Sequence, residues 1–219
     1  MIKETALGRA PLTKEESVLK NTYMLLGMNF MTSAAAAYAS MSMNSTMMPV
    51  LMWLAIYFVL IYGVEKTADS AYGLPMTFVF TGFLGFTLGP ILNAILTIES
   101  GTDIILNALG STAILFVVLS VWTVKARVKM SQFGSFLAVG MLSAFLMSLM
   151  NIFIFESSLI SMVLSTVVMF LAGGIIMFQT SEIIYGGEKN YIRATVTLFV
   201  QIFNLFQVML FFFIPGGKD

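Results

Sequence analysis

Three side-chain amides, Gln201, Asn204 and Gln207, fall three residues apart inside a 24-residue stretch without charge, Ala194 to Gly217. In a helix this spacing puts all three on one face. Amides facing lipid would leave donors and acceptors unpaired, at a cost on the order of several kcal/mol. The face is therefore expected to point inward, against other helices, which makes this last helix central. A fourth amide, Gln179, ends the preceding apolar run. Between the two runs lie Glu182, Glu188, Lys189 and Arg193. These charges form either a solvated loop or a closure of the bundle, in which Arg193 folds inward onto Glu182 and Glu65, Lys66 and Asp69 join. Exposed pairs of this kind contribute at most about 1 kcal/mol each.

A second constellation is Gly82, Gly85, Gly89, Pro90 and Asn93. Glycines at these spacings share one side of a helix and let another backbone approach closely. Pro90 removes a helical hydrogen bond, frees the carbonyl of Phe86 and is expected to bend the helix. Two readings stand: a packing face, or a broken helix lining a polar cavity. Met41, Met43, Met47, Met48 and Met52 cluster among the 18 methionines. Thioethers favour Cu(I), but Met is also an adaptable apolar filler. The chain has no histidine and no cysteine, which removes the commonest general base, the commonest metal ligand and any thiolate nucleophile. No acid, base and nucleophile can be assembled within the apolar runs, so the sequence implies neither an enzyme nor a cofactor. Lysines and arginines equal the acidic residues at 11 each, leaving no bulk charge to hold nucleic acid.

These residues need membrane helices to position them. Of 219 residues 58% are hydrophobic and 10% charged, with mean hydropathy +0.94, whereas soluble domains carry about 25% charge. Charge-free runs, with one turn signal at Asn44-Ser45-Thr46 before Pro49, predict seven spans near 21–43, 49–64, 75–98, 104–124, 134–155, 159–181 and 191–214. Residues 1–20 are expected to be a cytoplasmic tail and helix start. Thr13 and Glu16 fit a capping box, and no cleaved signal is expected because the first apolar run comes late and is long. Residues 21–215 form the membrane domain, and 216–219 a short periplasmic tail. With the N-terminus in the cytoplasm, ten basic residues lie inside and only Lys218 outside, the asymmetry of a multi-pass membrane protein. Trp53, Tyr57, Tyr62, Tyr72 and Trp122 read as interfacial anchors.

Gly85-Phe86-Thr87-Leu88-Gly89-Pro90-Ile91-Leu92, followed by Ala108 to Phe116, resembles the signature of the transmembrane Bax-inhibitor-motif family. Thr81 to Asn93, with Gly186-Gly187-Glu188 and Asn190 to Val196, is similar to its bacterial YccA branch. The resemblance runs from about Asn21 to the end of the last span. It departs at Pro75-Met76, where the family signature opens with aliphatic and then small residues. The resemblance implies an all-α membrane protein of seven helices, six around a central seventh, in the bacterial inner membrane. Some relatives gate a calcium leak with two proton-sharing aspartates. Here Gln179 and Gln201 occupy the acid positions, and amides that bond each other cannot titrate. The branch resemblance implies a modulator of the membrane protease FtsH, with the N-terminal segment carrying Lys3, Glu4 and Arg9 as its handle.

Overall fold

A computed structural model describes residues 13–214. Lys3, Glu4 and Arg9 and the tail beyond 214 lie outside them. Among the described residues there is no strand, and seven long helices follow one another: α1 (Lys14–Ser42), α2 (Val50–Thr67), α3 (Gly73–Leu96), α4 (Gly101–Ala126), α5 (Gly134–Met150), α6 (Ser158–Ile184) and α7 (Tyr191–Phe213). A 3-10 turn, Ser131–Phe133, leads into α5, and a π turn, Asn151–Phe155, ends it.

Six of the seven, α2 to α7, are long and apolar enough to cross a membrane when α5 is taken with its two flanking turns. The first is not among them. Its opening turns carry Lys14, Glu15, Glu16 and Lys20, and the side it buries includes Thr22, Asn29, Ser33 and Ser40. Buried polar side chains that face neighbouring helices lower the hydropathy of α1. The helix begins at a capping box: Thr13 Oγ1 accepts from the Glu16 amide at 3.2 Å, and Glu16 Oε2 accepts from the Thr13 amide at 3.0 Å.

The buried centre is α7, with 13 of its 23 residues buried. It packs against α6, α4, α1 and α3, and Leu198, Phe199 and Leu205 join Phe80, Leu84 and Ile176 in the core. The packing around it is uneven. Of its 18 residues α2 buries only Val64, and it packs extensively only on α3. Likewise α5 leans on α6.

The most extensive helix pair is α1 with α3. A β-carbon at Gly85 would collide with the Ser33 backbone, and one at Gly89 with the Ser40 side chain. Small residues on both helices therefore bring the backbones together. Gly82 is looser, its nearest neighbour being Thr32 Cγ2 at 3.7 Å. Asn93 Nδ2 donates to the Met41 carbonyl at 3.0 Å, tying the far ends of the pair. Pro90 sits inside an unbroken helix that continues to Leu96, so the broken-helix alternative gives way to close packing.

Candidate functional site

The amide face of α7 opens into a cleft rather than packing onto another helix. Gln201 is buried, while Asn204 and Gln207 are half-buried. All three line a hollow of about 540 Å³ whose walls include Trp53 and Tyr57 of α2 and Phe145 and Ser148 of α5. The cleft exists because α2 and α5 stand off from α7. Phe58 and Phe145 meet edge-on across it with centroids 6.2 Å apart. Within the ladder, Asn204 Nδ2 donates to Gln201 Oε1 at 3.5 Å. A second hollow of about 430 Å³ shares Trp53, Phe145, Ser148 and Gln207 and continues past Phe86 and Pro90 to Met47. Pro90 has no N–H, so the Phe86 carbonyl beside this hollow lacks its helical donor.

Trp53 and Tyr57 were legible in sequence only as interfacial anchors. They instead stack at 5.2 Å on the cleft wall. The signal for that role is their spacing of four on α2, which puts both rings on one face.

Gln179 does not join this ladder. Among the hydrogen bonds of the described residues none links it to Gln201, and its Nε2 is buried without a partner. The residues that α6 sends into the cleft are Val168 and Ile175. Gln201 finds its partner three residues along its own helix instead. The mutual amide bond expected from the sequence is corrected accordingly.

Polar chemistry is denser at the basic end of the bundle. Arg193 Nε bonds Glu65 Oε1 and its Nη2 bonds Asp69 Oδ2, each at 2.7 Å. Asn190 caps α7 through Oδ1, which accepts from the Ile192 and Arg193 amides at 2.8 and 3.3 Å. Its Nδ2 donates to the Ala68 carbonyl at 3.0 Å and to Asp69 Oδ1 at 2.7 Å. The start of α7 is thus latched to the α2–α3 turn. Asp69 is held below the usual aspartate range, first by the Asn190 bond and then by Arg193.

The expected partnership of Arg193 with Glu182 is corrected. Glu182 accepts from Ser131 Oγ at 2.6 Å, and its main-chain carbonyl accepts from the Gly187 amide at 2.8 Å. Ser181 and Tyr185 complete this second latch, Ser181 Oγ accepting from the Met130 amide at 3.0 Å and Tyr185 Oη donating to the Arg127 carbonyl at 2.5 Å. Two neighbouring elements thus claim the two residues separately. Asn190 is the latch residue the sequence reading missed, although Asn ahead of an apolar helix is an N-cap pattern. Among the described residues no three His, Cys, Asp or Glu side chains gather around a metal position.

Comparison with known proteins places this architecture. The family described as inhibitor of apoptosis-promoting Bax1 matches residues 15–218. The modulator of FtsH protease YccA of Escherichia coli K12 is 38% identical over 209 residues, covering 95% of this chain and 94% of its own. An uncharacterised protein of Pseudomonas aeruginosa is 39% identical over 206 residues, 92% of this chain and 91% of its own. A membrane protein of Vibrio cholerae is 39% identical over 194 residues, 88% and 86% of the two chains. With six helices suited to a bilayer and a match spanning nearly its full length, this multi-pass membrane protein belongs to the Bax inhibitor family.

Proposed function

We propose that this chain is a non-catalytic modulator of the ATP-dependent membrane protease FtsH. It binds the protease as a poorly degraded substrate and slows the degradation of other membrane proteins. The observation that carries the reading is the 38% identity, over 95% of the chain, to a protein named as a modulator of that protease. In this reading the chain sits in the bacterial inner membrane with its N-terminus in the cytoplasm and its C-terminus in the periplasm. Helix α1 is the seventh crossing: its 29 residues span about 43 Å, and its polar side faces α3 and α7. Six helices then surround α7, four in close contact and two at the cleft.

The physical basis of slow degradation is resistance to extraction. A protease that pulls on a cytoplasmic tail must draw helices out of lipid. The segment that carries Lys3, Glu4 and Arg9 is the handle; the helix behind it, α1, packs closely on α3, and two latches hold the basic end of the bundle. The test is co-reconstitution with the protease and a labelled membrane substrate. The substrate half-life lengthens when this chain is present, and deleting residues 2–12 abolishes the effect. An unchanged half-life with the full chain overturns the reading. A lengthening that survives the deletion overturns the handle alone.

A further inference from the structure

We propose that the amide-lined cleft between α2 and α5 is a docking groove for a transmembrane helix of another protein, one that carries a side-chain amide or hydroxyl in the half of the membrane away from the basic end.

Depth decides what can meet the amide ladder. Gln201 lies ten residues into α7, about 15 Å along the helix, and Gln207 about 9 Å further. The ladder therefore runs from mid-membrane toward the end opposite the Arg193 latch. A carboxamide has two donors and an acceptor with two lone pairs. Within the described residues the ladder makes one internal bond, Asn204 to Gln201, and no hydrogen bond of the described residues reaches Gln207. Acyl chains offer nothing to the remaining groups, whereas an amide or hydroxyl on a neighbouring helix both donates and accepts.

The walls favour the same occupant. Each is anchored on one flank: α2 on α3, and α5 on α6. The ring contact of Phe58 with Phe145 joins them across the gap. Parting one edge-on aromatic pair opens the groove along its length, with α7 as its floor. Trp53 and Tyr57 then offer flat apolar area beside the polar rungs, the combination that interfaces use for anchoring. The contiguous second hollow extends the groove toward Met47, so the bound surface is elongated, as a helix requires. This interaction is distinct from the protease reading, and its test contains no protease.

Trp53 reports occupancy directly, because the chain has two tryptophans and Trp122 is exposed on α4. Trp122→Phe protein is reconstituted in vesicles of brominated lipid. A leucine-based transmembrane peptide of about 21 residues, free of tryptophan and bearing one asparagine at the depth of Gln207, is titrated against its all-leucine counterpart. The asparagine peptide relieves lipid quenching of Trp53 at a mole fraction about three- to tenfold lower than the leucine peptide. The triple variant Gln201→Leu, Asn204→Leu, Gln207→Leu removes this preference, and Gln207→Leu alone reduces it. Far-UV circular dichroism and a thermal transition matching the Trp122→Phe parent show that each variant is folded. Three results overturn the proposal: equal half-saturation by the two peptides, which means that lipid fills the groove indifferently; a preference that survives in the folded Gln207→Leu and triple variants; or quenching of Trp53 by aqueous iodide that neither peptide relieves, which makes the cleft a water-filled vestibule.

Discussion

The tightest prediction concerns Gly85, where α3 meets the backbone of α1. In Gly85→Ala the new β-carbon collides with the Ser33 carbonyl and lies 2.6 Å from Ser33 Cα. Both obstacles are backbone, so no rotamer change relieves the overlap and the two helices must separate. Overpacking of this kind costs about 1–3 kcal/mol, against which alanine recovers up to about 1 kcal/mol of helix propensity over glycine. Two controls isolate the steric part. Gly82→Ala places its carbon 3.7 Å from Thr32 Cγ2, an ordinary contact, and Gly110→Ala meets nothing within 4 Å. Both gain propensity without collision. Thermal unfolding of the purified protein in detergent, followed by circular dichroism, should therefore order the variants: Gly85→Ala below wild type, Gly82→Ala and Gly110→Ala at or above it. A gap of about 2 kcal/mol between Gly85→Ala and Gly110→Ala corresponds to roughly 4–8 °C in a chain of this length. If the two melt within a degree of each other, α1 does not approach α3 as closely as described and the small-residue argument fails.

The basic-end latch yields further expectations. Asn190→Ala loses a helix cap and two tethers to the α2–α3 turn, and destabilises by about 1 kcal/mol or more. Arg193→Gln removes two largely exposed pairs, which contribute little to global stability; hydrogen exchange at residues 67–73 should rise in both variants. Because the Asp69 pKa is lowered on folding, its contribution is fully present above the ordinary aspartate range and is lost as pH falls through the lowered value. The protection factor of the turn, exchange corrected for the intrinsic rate at each pH, should therefore stay level from about pH 8 to 5 and fall only in stronger acid, and Asp69→Asn should remove that acid response. In liposomes, wild-type calcium flux should show no response between about pH 6 and 8, since Gln179 and Gln201 do not titrate; a response there would refute the reading of the two glutamines.

Helical class and six apolar helices were legible because charge-free runs of span length admit little else. The capping box at Thr13 was legible because it is a local pattern. What α1 would look like was less so: its buried side is polar, and only the partner surfaces of α3 and α7 explain why Thr22, Asn29 and Ser33 are inside. The amide ladder was visible as a face, but its surroundings were not. Periodicity shows that Gln201, Asn204 and Gln207 share a direction, not that α2 and α5 would leave a gap there. Arg193 was visible as a helix-start charge with three candidate partners. Choosing Glu65 and Asp69 over Glu182 depended on Ser131 taking Glu182, a contact 51 residues apart in sequence.

The close seam between α1 and α3 has a mechanical consequence. Helix α1 is the first that a motor pulling from the N-terminus must move, and it lies against both α3 and α7. Force along its axis loads the whole seam in shear, so Ser33 must ride past Gly85 before any later helix is released. Pulling from the other end would meet α7 first, and a different set of neighbours. The fold is an obstacle with a direction: its most extensive helix interface, α1 on α3, stands at the head of the queue for a pull from that end.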